Sequence, residues 1–109
     1  MTEISYRDTR QYQELYFSGH AENRIVCAGI SAISQTLLEN LLREETREQI
    51  RLQWKMTNPG EIWMRAWPLG DSTDAVRGMF EFTMAGLRRI AEQYPENMKI
   101  KEERQNGRI

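Results

Sequence analysis

Gly19-His20-Ala21-Glu22-Asn23-Arg24-Ile25-Val26-Cys27 joins two segments of different periodicity, and the fold is decided at this junction. Upstream, Tyr12 to Ser18 (Tyr-Gln-Glu-Leu-Tyr-Phe-Ser) is aromatic-rich and suits an extended strand. Downstream, Val26, Ile30, Ile33, Leu37 and Leu41 recur at helical spacing as far as about Arg43. The junction therefore predicts a strand that turns directly into a helix, with His20 at the strand's end and Cys27 in the first helical turn. These are the chain's one histidine and one cysteine, with six residues between them. A thiol becomes a good nucleophile as thiolate, which a neighbouring imidazole or a helix N-terminus promotes. A single turn brings both within reach of Cys27. On local chemistry alone the plainer readings come first: a buried cysteine acting as a small hydrophobe, and a solvated or capping histidine. Zinc is disfavoured, since one His and one Cys fall short of four ligands.

Working outward, Arg7-Asp8-Thr9-Arg10 predicts a turn after a first short strand. Beyond the first helix, Ile50, Leu52, Trp54 and Met56 alternate with Arg51, Gln53 and Lys55, the period of a strand with one buried face. Asn58-Pro59-Gly60 then marks a turn, and Glu61 to Trp67 reads as the hairpin partner. After Pro68-Leu69-Gly70-Asp71, Ser72 is a suitable N-cap for a second helix that runs to about Tyr94 and stops ahead of Pro95. Its core stripe is Val76, Met79, Phe80, Thr83, Leu87 and Ile90, with Met84 as further core filler. A last strand is expected from about Asn97 to Glu103, followed by a polar tail, Arg104 to Arg108, that should fray. The order is β-β-α-β-β-α-β. This predicts an α+β fold, a single domain over 1-109, with a largely antiparallel sheet and two helices packed on one face. In the second hairpin strand Trp63, Arg65 and Trp67 alternate with Ile62, Met64 and Ala66. Two tryptophans are thus directed away from the helices, either into an interface or against a loop.

The block Phe17-Ser18-Gly19-His20-Ala21, followed by Ile25-Val26-Cys27-Ala28-Gly29-Ile30-Ser31-Ala32-Ile33, resembles the signature of the ribosomal-processing cysteine proteases. Gly86 to Glu96, ending in Gln93-Tyr94-Pro95-Glu96, is similar to that family's second helix and its exit, and Met98-Lys99-Ile100 fits the final strand. The resemblance implies that His20 and Cys27 are the catalytic pair, with Gly19, Ala28 and Ser31 contributing to binding. Ser31 follows Cys27 at i+4, hence on the same helix face, where it either faces the thiol or bonds back to its own backbone. The resemblance further implies oxyanion-hole amides near Cys27 and Ala28 and a homodimer, without metal or organic cofactor. Two departures stand out: three residues, Glu22, Asn23 and Arg24, replace a longer glycine-rich loop, and Arg24 stands where many members carry Asp. A guanidinium accepts no hydrogen bond, so Glu22 or a backbone carbonyl is left to orient the histidine.

Composition narrows the alternatives. Fifteen basic and sixteen acidic side chains give a net charge of −1, no electrostatic basis for direct nucleic-acid binding. No apolar run approaches the roughly 18 residues of a membrane span, and the N-terminus lacks a signal-peptide pattern. One cysteine excludes an intramolecular disulfide. A cytoplasmic protein without a membrane partner is expected. Two functions compete: a cysteine endopeptidase acting on a peptide or protein substrate, and a non-catalytic dimeric binding protein of the same fold. The resemblance implies the N-terminal extension of a ribosomal protein, or a phage structural protein, as substrate. The binding protein would associate with ribosome or phage assembly. A thiol redox sensor is a third option, without a second cysteine to resolve a sulfenic acid.

Overall fold

The computed structural model describes residues 1–57 and 61–105. Its elements are β1 (Thr2–Asp8), β2 (Gln13–Ser18), α1 (Arg24–Thr46), β3 (Ile50–Met56), β4 (Ile62–Pro68), α2 (Thr73–Gln93) and β5 (Met98–Arg104). The order is the one expected. The five strands form one sheet in the order β3-β4-β2-β1-β5, antiparallel throughout except for the parallel β1·β5 pair. Each helix is therefore a crossover: α1 leads from β2 past β4 to β3, and α2 leads from β4 past β2 and β1 to β5.

Strict alternation makes the sheet two-faced. Ile4 and Tyr6 of β1, Leu15 and Phe17 of β2, and Met64 and Ala66 of β4 are buried beneath the helices. They meet Val26, Ile30, Leu37, Leu38 and Leu41 of α1 and Val76, Phe80, Met84 and Leu87 of α2 in one core, where each fully buried large side chain contributes about 1.5–3 kcal/mol. The Tyr6 and Phe80 rings stack with centroids 6.0 Å apart. Ile33, Met79 and Ile90 of the expected stripes are only partly buried, because they lie toward the seam between the helices. There a Cβ on Gly29 would come within 3.3 Å of Ile90 Cδ1, and one on Gly86 within 3.5 Å of Ile33 Cδ1. Gly29 thus allows a tight approach to Ile90, whereas a Cβ at Gly86 would make only ordinary contact.

Several boundaries differ from the sequence reading. The first helix starts at Arg24 and runs to Thr46, since Asn23 caps it ahead of the apolar stripe. Averaged over its most apolar 18 residues, this helix is apolar enough to cross a membrane by length and composition alone. Ser31, Gln35 and Asn40 break every apolar run without lowering that average enough. Ser72 holds the N-cap position of α2 but makes no capping bond. Its hydroxyl lies 2.7 Å from the carbonyls of both Gln49 and Leu69, tying the β3 entry to the β4 exit. Arg104, expected to fray, belongs to β5 and donates to Glu81 through Nη2 at 2.8 Å. The expected turn at Asn58-Pro59-Gly60 and the tail from Asn106 onward lie outside the described residues.

Trp63 and Trp67 do face away from the helices, and both are only partly exposed. Arg65 between them stacks its guanidinium 4.3 Å from the Tyr12 ring centroid and 5.6 Å from each indole. Glu14 accepts from Arg65 Nη2 at 2.7 Å and from the Trp63 indole N–H. The chain itself covers much of this face, and the most exposed aromatic is Phe82 of α2, at 84%.

Candidate active site

The turn from β2 into α1 is fixed residue by residue. Gly19 has φ +85°, and a Cβ there would fall 2.4 Å from the Met1 carbonyl oxygen, so no other residue fits without moving β1. The Met1 amino group donates to the His20 carbonyl at 2.7 Å, so the exposed His20 side chain extends from a held backbone. Ala21 is buried and anchors the turn in the core. Asn23 then starts the helix: its Oδ1 accepts from the N–H groups of Ile25 at 2.8 Å and Val26 at 3.2 Å. Its carbonyl takes the N–H of Cys27 at 3.0 Å.

This cap has a chemical consequence. Cys27 is the fourth residue of α1, so its amide belongs to the helical ladder and is not an orphan donor. The Cys27 amide, expected as an oxyanion donor, is therefore engaged by the Asn23 carbonyl, and Ala28 is exposed and does not line the cleft around Cys27. The physical reason is the helix start at Arg24, three residues ahead of the thiol.

His20, Cys27, Gly19 and Ser31 line one cleft of about 480 Å³ between the start of α1 and the adjoining end of the sheet. Ile30, Ser34 and Gln35 continue the helical wall, and Phe17, Met56 and Ile62 form an apolar wall opposite. Cys27 is partly buried and its thiol is not in a disulfide. Among the described residues, the side chains of His20, Cys27 and Ser31 make no hydrogen bond to one another or to Glu22. Ser31 does not bond back to its helix; Ser34 does, donating to the Ser31 carbonyl at 3.2 Å. Arg24 is exposed.

Asn23 and Asn97 escaped the sequence reading. An Asn just before an apolar-periodic run is an N-cap signal and could have been recognised. Asn97 could not: its Oδ1 accepts the Asn23 N–H at 3.1 Å across 74 positions of sequence.

Residues 1–99 match the profile of the family described as cysteine protease Prp. A search of curated proteins finds no match. Among solved structures, the chain is similar to the essential ribosomal processing protease Prp from S. aureus in complex with a covalently linked product peptide. Identity is 22%, TM-score 0.72, covering 94% of this chain and 99% of that one. It is similar also to SMU.848 from Streptococcus mutans, at 23% identity and TM-score 0.68, covering 96% of each chain. The S. aureus protease in complex with a substrate peptide aligns at 18% identity and TM-score 0.67, covering 94% of this chain and 99% of that chain.

Proposed function

The chain belongs to the cysteine protease Prp family, and from that premise we propose that it is an endopeptidase in which His20 and Cys27 form the catalytic dyad. His20 takes the Cys27 thiol proton, and the thiolate attacks the scissile carbonyl carbon. The tetrahedral intermediate collapses to a thioester as His20 returns the proton to the departing amine, and water then hydrolyses the thioester. The observation that carries this reading is that the only imidazole and the only thiol line one cleft facing an apolar wall. Hydrogen bonds of unliganded catalytic pairs are often long and tighten with substrate bound, and His20 has no competing side-chain partner among the described residues. With the Cys27 amide engaged by Asn23, charge on the intermediate is met by side chains on the same wall, Ser31 Oγ and the Gln35 amide.

The substrate proposed is the N-terminal extension of a ribosomal protein, as the name of the S. aureus relative and its peptide complexes support. A cytoplasmic location and a homodimer belong to the same proposal; sedimentation at micromolar concentration tests the latter. The decisive experiment incubates the wild type, Cys27→Ala and His20→Ala with a peptide spanning the ribosomal cleavage motif. Cleavage by the wild type alone is expected. Failure of the wild type to cleave, with iodoacetamide labelling Cys27 no faster than a free thiol, sinks the protease reading; labelling without cleavage favours the binding protein or redox sensor.

A further inference from the structure

His20 and Cys27 ride on backbone that is tied at both ends to one corner of the sheet. Thr2 and Met98 are partners in the parallel β1·β5 pair, and the Asn97 carbonyl accepts the Thr2 N–H at 2.9 Å. From this corner Thr2 Oγ1 donates to the Gly19 carbonyl at 3.4 Å. At the other end of the turn, Asn97 Oδ1 accepts the Asn23 N–H at 3.1 Å. Asn23 in turn holds the amides of Ile25, Val26 and Cys27. One side chain thus connects the sheet corner to the cap of the helix that carries the thiol.

We propose that Asn97 is a positioning residue for the dyad, fixing through Asn23 the angle at which α1 leaves the turn and hence the approach of His20 to Cys27. This rests on the protease reading of the cleft. The turn has only His20, Ala21 and Glu22 between its two tie points, so there is no slack to absorb a shift of the helix start. Without the Asn97 carbonyl oxygen of the side chain, the Asn23 N–H turns to water and the cap is held by α1 alone. Asn97 does not line the cleft, so its effect falls on the geometry of reaction rather than on substrate affinity.

The test compares full-length Asn97→Ala, Asn97→Asp, which keeps an acceptor oxygen at the same reach, and Ser72→Ala, which removes hydrogen bonds at the far end of the sheet. Steady-state cleavage of the ribosomal extension peptide is measured beside amide hydrogen exchange of residues 19 to 27. Asn97→Ala is expected to lower kcat about tenfold with KM within about twofold, the pattern of lost alignment, and to speed exchange in the turn. Asn97→Asp should retain both properties, and Ser72→Ala should lower Tm while changing neither. Wild-type kcat in Asn97→Ala, a loss that Asn97→Asp does not recover, or an equal loss in Ser72→Ala overturns the proposal. Should Asn97→Ala fail to fold, Asn97→Ser, too short to reach Asn23, takes its place. If the wild type cleaves nothing, the protease reading fails on its own account and exchange decides: protection lost in Asn97→Ala and kept in Asn97→Asp upholds the tie, and unchanged protection overturns it.

Discussion

The two ends of the sheet differ: charged side chains are paired at one, and the His20, Cys27 and Ser31 side chains are, among the described residues, unpaired at the other. Where β1 and β5 finish, Asp8 is fully buried and accepts from Arg77 Nε at 3.1 Å and Gln13 Nε2 at 3.0 Å. Beside it Glu81 accepts from the Tyr6 hydroxyl at 3.2 Å and from Arg104, and Arg88 donates to Glu102 at 2.8 Å. The hydrogen bond to Glu81 holds the Arg104 guanidinium above its ordinary pKa. Where β2 gives way to α1, His20, Cys27 and Ser31 share a cleft and make no side-chain hydrogen bond among the described residues. A buried charge is costly unless it is paired, whereas the base and nucleophile roles proposed for His20 and Cys27 require an imidazole free to take the thiol proton and a thiol open to substrate. One strand length of seven residues, about 23 Å, keeps the two requirements from interfering.

The sharpest way to break this contrast is to show that the open end also supports the fold. Cys27→Ala should abolish peptide cleavage, and His20→Ala should lower kcat by about 10²–10⁴-fold, the usual range for losing a general base. Neither should move the thermal midpoint by more than about 2 °C, since His20 is exposed and a thiol-to-methyl change at a partly buried site alters little packing. A large fall in midpoint for either variant would make them structural residues. Conversely, Arg77→Ala leaves the buried Asp8 carboxylate without one of its partners and should cost about 3 kcal/mol of stability. Denaturant midpoints measure that loss, while cleavage at 25 °C by the folded variant should match the wild type.

These two ends were not equally legible from sequence. Elements with a period announced themselves: the strand Ile50–Met56 and the Val76, Phe80, Thr83, Leu87 stripe both appear where expected. Of the strand's apolar set, however, Ile50 is buried, Leu52 is half-buried, and Trp54 and Met56 are exposed because the strand lies at the sheet's edge. His20 and Cys27 could be singled out because the chain has no competing imidazole or thiol, and both line one cleft. The start of α1 was placed at the first apolar residue of the stripe, although the capping amide of Asn23 lies three positions earlier. The earlier start puts the Cys27 amide, expected to meet an oxyanion, in a bond to the Asn23 carbonyl. The Asp8, Gln13 and Arg77 cluster joins residues up to 69 positions apart, and no local pattern distinguishes such a pair from surface charges. Trp63 and Trp67 were assigned to the correct face, but their cover comes from Glu14 on a neighbouring strand and from Arg65 stacked against Tyr12, a tertiary arrangement that alternation does not reveal.

The polar end also makes a prediction about pH. Burial first, and the nearby Glu81 and Asp8 charges next, push the Tyr6 phenol well above its ordinary value of 10.0. Its pKa is higher folded than unfolded, so its contribution is fully present below pH 10 and declines as pH rises beyond it, when the unfolded chain ionises and the folded one does not. The expected slope is about 1.4 kcal/mol per pH unit for one proton. Tyr6→Phe should be less stable near neutrality through loss of the Glu81 hydrogen bond, yet flatter above pH 10. Parallel stability curves for the two proteins from pH 9 to 11 would detach Tyr6 from the alkaline behaviour.

The smallest effect expected is at Ser31, and it sharpens what the open end consists of. Ser31 lies one turn beyond Cys27 on the cleft wall, and Asn23 already engages the amides of Ile25, Val26 and Cys27. The hydroxyl is thus among the few donors left to meet an oxyanion. A preorganised donor in a dry site is worth about 10²–10³-fold in rate, but Ser31 is exposed and its hydroxyl exchanges with water, which weakens its advantage over solvent. Ser31→Ala should therefore lower kcat about fivefold, about 1 kcal/mol, with KM and thermal midpoint little changed. Ser31→Thr, which keeps the hydroxyl, should recover most of the rate. An unchanged kcat in Ser31→Ala would reduce the reactive group to the imidazole and the thiol, and would pass the charge of the intermediate to Gln35 as the remaining amide donor on that wall.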